Sequence, residues 1–354
     1  MRMLYWGSLD WGSTSLMRFK GLESTVSHAY AVDNRAAFGD YLTRNNWIRL
    51  QLRMGLGPVI SRASHQLLRE VNRYKPDLLW IDQGVGINPM TLQKIKKNFN
   101  CYMVLYNPDS ITASGFNRLC FYKTIREYDL CITSKSFDRG IYLQYGAKNV
   151  LLSFEGYDPM LHCPIKLTAE DKSIYSCDVG FAGDRQEDRA RSLCVLIDRV
   201  PGKIHLYGRG WEKGRTGRRL APHHRGWVSG LDYAKAICGA KICLGFLNRS
   251  VGDTFTTRSL EIPACGGFFL AERTEAHENF YLEHIEAEFF SSDEEMIDKI
   301  DYYLKNEDKR LKIALAGYEK VQKSGFRWKD RMEKCLEFID RDGSLMECPG
   351  LQND

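Results

Sequence analysis

Acids, hydroxyls and an arginine crowd into residues 251–275, VGDTFTTRSLEIPACGGFFLAERTE, and their spacing suits recognition of a phosphorylated ligand. Asp253 and Glu261 have seven residues between them, so the first fits a loop and the second the opening turns of a helix, both facing one ligand. Thr256 or Thr257 fits an N-cap, residues 258–264 the helix, and Gly266-Gly267 its stop before a buried strand at 268–271. The unsatisfied N–H groups of such a helix end suit a phosphate, and Thr254, Thr256, Thr257 and Arg258 add hydroxyl and guanidinium donors. A sugar diphosphate would satisfy all of them. The competing readings are a helix-stabilising acid in an exposed turn for Glu261 and a tight turn with Gly252 for Asp253. The apolar neighbours Leu260, Ile262, Ala264 and Cys265 put Glu261 beside a buried surface and favour a binding role there; for Asp253 the two readings stay open.

A second basic set follows the strand at 175–182, whose end is the small-residue loop Ala182-Gly183-Asp184. Gly183 lets backbone approach a phosphate, and Arg185 or Arg189 supplies a charge-assisted partner. Arg191, within RQEDRAR, reads as part of a solvated run. The loop lacks the G-x-G-x-x-G spacing of a dinucleotide fold, which places an oxidoreductase last among the options. Farther on, Arg209 in Gly208-Arg209-Gly210-Trp211 suits phosphate or ribose, with Trp211 reserved for packing. The pair His223-His224 has no third ligand at metal spacing.

The elements that must carry these residues alternate strand and helix. Residues 3–7, 77–82, 101–106, 128–134 and 151–152 read as strands of one parallel sheet, and 175–182, 203–207, 240–247, 268–271 and 288–290 as strands of a second. In the first half, strand ends deliver Asp10, Trp11 and Ser13 as candidates on the acceptor side, together with Gln83-Gly84-Val85-Gly86 and Asn107-Pro108-Asp109-Ser110. The plainer alternative makes Ser13 or Ser15 an N-cap and Trp11 a lid on the core, and makes Asp109 an Asx-turn residue beside Pro108. Residues 46–74 read as basic amphipathic helices broken near Gly55-Leu56-Gly57-Pro58, either a solvated face or a surface for anionic lipid.

With 354 residues the chain has room for two domains. Its net charge of +5 with 27% charged residues and no basic tail argues against nucleic acid as a partner. Eleven scattered cysteines without CxxC spacing, and polar residues in MRMLYWGSLDWG where a leader would be apolar, read as a cytoplasmic protein with any membrane contact peripheral, at the inner membrane surface. The expected boundaries are an N-terminal domain at 1–155, a linker at 156–172, a second domain at 173–325, a helix at 326–341 that crosses back to the first domain, and a tail at 342–354.

TTRSLEIPACGGFFLAERT resembles the donor-site segment of the CgeB-like (spore maturation protein) glycosyltransferases, relatives of glycosyltransferase family 4, and the likeness extends over residues 177–339. The resemblance implies an α/β GT-B fold: two facing Rossmann-like domains with a cleft between them. It implies transfer of a sugar from a nucleoside-diphosphate sugar to a glycan, lipid-linked or protein acceptor, without a metal or other cofactor and with retention. Glu261 then accepts from the ribose hydroxyls, Val228 in Gly226-Trp227-Val228-Ser229 lies at the nucleobase, and Asp109 joins Asp253 as a catalytic candidate. Relatives carry Glu where this chain has Asp253. Two other classes fit the same residues: a non-catalytic sugar- or nucleotide-binding protein of an envelope or spore coat, and a nucleotide-sugar epimerase.

Overall fold

The computed structural model describes residues 1–35, 46–54, 56–112 and 118–341. They divide into two compact units, one of Met1–Glu155 with the Trp328–Asp340 helix, the other of Gly156–Arg327.

The first unit is a parallel sheet of β1 (Arg2–Gly7), β2 (His28–Asp33), β3 (Leu78–Asp82), β4 (Tyr102–Asn107), β5 (Leu130–Thr133) and β6 (Val150–Leu152), in the order β2-β1-β3-β4-β5-β6. β3 is buried at every position, which is why LLWID reads as an unbroken apolar run rather than an alternation. The Pro58–Tyr74 helix covers the sheet with Ile60, Ala63, Leu67 and Val71, spaced three or four residues apart, and Pro58 at its first position costs no hydrogen bond. Because the chain goes from β1 out to β2 and returns to β3 on the other side, the strand order reverses between β1 and β3.

That reversal is filled from within. Arg18, on the helix Thr14–Glu23 that follows β1, makes a two-pronged ion pair with Asp82 at the end of β3, Nε to Oδ2 at 2.7 Å and Nη2 to Oδ1 at 3.0 Å. The Tyr5 hydroxyl donates to the same carboxylate at 2.7 Å, and the Arg18 guanidinium lies over the rings of Tyr106 and Trp328. Trp328 opens the last described helix, which packs on the Thr14–Glu23 helix where Gly21 leaves no room for a side chain.

The second unit holds β7 (Cys177–Ala182), β8 (Ile204–Tyr207), β9 (Ala240–Gly245), β10 (Phe269–Glu272) and β11 (Glu288–Phe290), all parallel and ordered β11-β10-β9-β7-β8. Its reversal falls between β7 and β9. Residues 156–172, expected as a linker, belong to this unit. Tyr157, Leu161 and His162 are buried there, and Asp158 closes a compact turn by accepting from His162 N–H at 2.7 Å. The Gly, Asp-Pro and Pro signals mark a bend correctly, but the bend carries apolar residues that have a core to enter. Among the described residues, no helix is long and apolar enough to cross a membrane.

Candidate functional site

In an open parallel sheet, ligands bind beyond the carboxyl ends of the strands where the order reverses. In the second unit this point is flanked by the loop after β7, with Gly183, Arg185 and Arg189, and by the segment after β9, which leads to Arg258 and Glu261. The loops after β7 and β8 are stitched together. The Arg209 N–H donates to Asp184 Oδ1 at 2.9 Å, the Arg185 N–H to the Arg209 carbonyl at 3.0 Å, and the Trp211 indole to the Gly183 carbonyl at 3.1 Å. Gly208, at φ +125°, lies so close that a Cβ would come within 2.2 Å of the Gly183 oxygen. Trp211 is fully buried, a packing residue.

Arg189 and Arg258 come from the two sides of the reversal and converge. Both guanidiniums stack on Phe181 of β7, at 5.6 and 5.8 Å from the ring centre. They also donate to consecutive carbonyls after β9, Arg258 Nη2 to Phe246 at 3.0 Å and Arg189 Nε to Leu247 at 3.3 Å. Burial, and then the neighbouring Arg258 charge, lower the Arg189 pKa to about 10. Arg258 Nε is buried without a hydrogen-bond partner. A like-charged pair with an unsatisfied donor is an arrangement that an anion would stabilise. Arg185, the alternative to Arg189 on the sequence, pairs through Nη2 with Glu187 at 2.7 Å and Thr216 at 3.1 Å, and its Nε too is buried without a hydrogen-bond partner, so a neighbouring carboxylate rather than a satisfied guanidinium sets it apart from Arg258; Arg191 pairs with Asp188.

The Arg258–Ala264 helix is built around two exceptions. Thr257 stands at the N-cap, but its own backbone is helical (φ −54°, ψ −38°) and its side chain caps nothing. The cap is reversed: the Thr256 N–H donates to Ser259 Oγ at 3.2 Å, and that hydroxyl also meets His277 Nε2 at 2.8 Å. Pro263 has no N–H for the Ser259 carbonyl, and the Tyr281 hydroxyl supplies the missing donor at 2.5 Å. Gly266 at φ +72° then ends the helix, with the Gly267 N–H returning to Ile262 at 3.0 Å. With seven residues, and with the Ser259 and Leu260 N–H groups turned back to the Thr256 and Thr257 carbonyls at 3.0 and 2.9 Å, the helix end is a weaker anion site than its sequence suggests, and the guanidiniums carry the charge.

Glu261 is buried, and its carboxylate is held from two sides that the sequence did not connect. The Tyr233 hydroxyl, on the Leu231–Gly239 helix, donates to Oε2 at 2.8 Å, and His162 Nε2 stands 3.7 Å from Oε1. Burial, and then the Glu261 charge, push the Tyr233 hydroxyl well above its usual pKa, so it stays a donor. Beside them lies a small cavity lined by Phe181, Ala182, Tyr207, Tyr233, Arg258 and Ile262.

The remaining candidates fall as follows. The Asp253 N–H closes a turn on the Asn248 carbonyl at 3.2 Å beside Gly252 (φ +66°), and its charge acts on Arg189. Val228 packs half-buried on Tyr175 and Tyr207; Arg209 is exposed and lies over the Trp227 ring. In the first unit, Ser13 is the N-cap of the Thr14–Glu23 helix, accepting from the Leu16 N–H at 3.1 Å. Trp11 is exposed under the Lys20 ammonium, and Asp10 pairs with Arg35. Asp109 is exposed, its N–H closing an Asx turn on Asn107 Oδ1 at 3.3 Å and its Oδ2 accepting from Gln83 Nε2 at 3.2 Å. The Asx residue is thus Asn107, and Gln83 holds Asp109 from a left-handed backbone at φ +63°. His223 and His224 each meet a backbone carbonyl, of Ile204 and Gly208. Glu283, His284 and Glu288 come within metal-ligand distance of one another, but Lys299 bonds both glutamates at 2.7 and 2.8 Å and occupies the charge position.

Residues 185–337 match the model of a family described as "Glycosyl transferase-like". No curated protein matches the chain in sequence. Its structure resembles that of sucrose-phosphate synthase from Thermosynechococcus elongatus, at 11% identity, a TM-score of 0.68, and coverage of 96% of this chain and 99% of that one. It is similar to HepE of Anabaena in complex with UDP-glucose, at 13% identity, a TM-score of 0.66, and 96% and 100% coverage. A glycosyltransferase from Rickettsia africae aligns at 11% identity and a TM-score of 0.62, covering 96% of this chain and 98% of that one. The two parallel-sheet α/β units therefore have the GT-B fold, and the stretch similar to the glycosyltransferase-like model falls mostly in the second.

Proposed function

We propose that this chain is a glycosyltransferase of the CgeB-like kind that moves a sugar from a nucleoside-diphosphate donor to a glycan, lipid-linked or protein acceptor. The observation that carries the reading is the convergence of Arg189 and Arg258 on Phe181 at the strand-order reversal of the second unit. Arg258 meets the diphosphate through its unsatisfied Nε, and Arg189 braces the carbonyls behind it and adds to the potential. As the bond between the anomeric carbon and the diphosphate oxygen breaks, charge grows on the leaving group where these guanidiniums already stand. The acceptor hydroxyl bonds the same carbon on the same face, and its proton goes to the departing phosphate. The anomeric configuration is retained, and no metal is needed.

The Asn46–Met54 helix supports a lipid-linked acceptor. Trp47, Leu50 and Met54 share one face and are 65%, 43% and 53% exposed, within a stretch (46–75) of six basic residues and one acidic. Sedimentation with anionic vesicles but not neutral ones is the expected result, and equal recovery with both would remove this variant. The central reading is tested by calorimetry of UDP, dTDP, GDP and ADP in the presence of a chelator. Selective binding of one supports it, followed by transfer from the matching sugar conjugate. Binding without transfer identifies a non-catalytic binding protein, and no binding by any of the four overturns the reading.

A further inference from the structure

We infer that Glu155 is a positioning residue that works with its proton on: through Ser134 it anchors the Pro108 carbonyl, and so holds the turn that presents Asp109 on the acceptor side. A row of hydrogen bonds crosses the carboxyl edge of the first sheet from one strand end to the next. Gln83, after β3, donates from Nε2 to Asp109 Oδ2 at 3.2 Å. Pro108 and Asp109 follow β4, and the Ser134 hydroxyl, after β5, lies 2.9 Å from the Pro108 carbonyl oxygen. The same hydroxyl lies 3.1 Å from Oε1 of Glu155, beyond β6. The four strands are neighbours in that order.

A serine hydroxyl has one hydrogen, and here it meets two oxygens. A carbonyl only accepts, so Ser134 gives its hydrogen to Pro108, and its oxygen is then the acceptor for Glu155. That contact is a hydrogen bond when Glu155 carries the proton. Among the described residues no other donor reaches this buried carboxyl. Once ionised, it takes the Ser134 hydrogen and the Pro108 carbonyl loses it. Charged and titratable groups face Glu155 from several elements: Lys135 after β5, Arg18 on the Thr14–Glu23 helix, Asp109 after β4 and Tyr106 within it. On the last helix, Arg331 lies over the ring of Phe154, the residue before it. Burial is the largest influence and raises the Glu155 pKa above its ordinary value, against the pull of Lys135 and Arg18. The stability that Glu155 contributes is therefore complete below about pH 4.3, where the unfolded chain keeps the proton too, and is lost as pH rises through the folded value. What Asp109 serves rests on the glycosyltransferase reading above; the proton on Glu155 does not.

The experiment compares infrared spectra and amide exchange of the full chain with those of Glu155→Gln, whose amide N–H donates to Ser134 as the protonated acid does, and of Ser134→Ala. A protonated-carboxyl band is expected in the wild type, absent from Glu155→Gln, with a midpoint about one unit or more above that of an ordinary glutamate. Protection of the Asp109 and Ile111 amides should fall about three- to ten-fold as pH passes that midpoint. It should stay level in Glu155→Gln and be low at every pH in Ser134→Ala. A lower midpoint, protection that ignores it, or the same pH dependence in Glu155→Gln overturns the inference. In an active enzyme the acceptor KM should rise across the same midpoint with donor affinity level, and an acceptor KM that stays level overturns the positioning role. A protein that binds no nucleotide overturns the glycosyltransferase reading and leaves the infrared and exchange outcomes to decide this one.

Discussion

The two units place charged residues at the same topological point, the reversal of strand order, and use them in opposite ways. In the first unit, Arg18 on the helix after the first strand meets Asp82 at the end of the strand across the reversal, and both are almost fully buried. The charge is met by a carboxylate: two hydrogen bonds link the pair, Tyr5 adds a third to Asp82 and two aromatic faces cover the guanidinium, with Arg18 Nη1 alone left without a partner. In the second unit, Arg189 takes the place of Arg18 on the first helix, but the residue contributed from beyond the next strand is another arginine, Arg258. One point is neutralised by the protein itself and acts as a structural rivet. The other sets two like charges side by side, the pair proposed above for a diphosphate. Fold alone does not distinguish them; the sign of one side chain does.

The sharpest way to break this contrast is Asp82→Ala. It leaves the Arg18 charge buried without its partner and should cost about 3–5 kcal/mol of stability, read by urea unfolding, with nucleotide affinity unchanged in the molecules that remain folded. A loss of nucleotide binding without loss of stability would reverse the roles assigned to the two units.

Arg258→Ala should do the opposite. Nucleoside-diphosphate affinity falls about 10- to 100-fold, in line with about 1.5–3 kcal/mol for a charge-assisted contact, while the melting temperature holds or rises because a like charge beside Arg189 is gone. A variant that unfolds early and binds normally would make Arg258 structural.

Acid should also act unequally. Both histidines of the first unit, His28 and His65, are exposed, whereas His277 of the second is buried against Ser259 and the Glu272 carbonyl, and burial lowers its pKa to about 4. The unfolded chain therefore binds a proton that the folded chain refuses, and stability that is complete above about pH 6.5 is lost as pH falls toward 4. Between pH 7 and pH 5 the His277 share amounts to about 2 kcal/mol; His277→Gln removes that share and leaves the one from His205, whose pKa burial also lowers to about 4, and the sum is visible as amide exchange that quickens first in the second unit. Uniform exchange across both units at pH 5 would contradict it.

The smallest effect is at Ser13. If it is a cap and not an acceptor contact, Ser13→Ala lowers stability by about 1 kcal/mol and leaves the KM for any acceptor unchanged.

The neighbouring charges Arg258 and Glu261 were legible because they share one helix within a few residues of sequence, and the alternation of apolar runs with helical patterns made both parallel sheets legible except for β2, a half-buried strand at the edge of the first. Thr257 misled because a threonine before a helix signals a cap only when its own backbone is extended; here it is helical and Ser259 takes over. His162 and Tyr233 gave no local signal. One sits in a turn that reads as a linker, the other in an ordinary helix, and only the packing of that turn against the Arg258–Ala264 helix brings them to one carboxylate.

Patterns in the sequence alone carry the second sheet and the first apart from β2, the composition of the donor-like segment and the chemical types available to it, because burial and helix geometry follow from patterns a few residues long. Tertiary packing, by contrast, sets which arginine meets a carboxylate, Arg18, and which stands beside a like charge, Arg258. A charge is neutralised by whatever lies within a few ångströms, and the chain brings that partner from a distant strand.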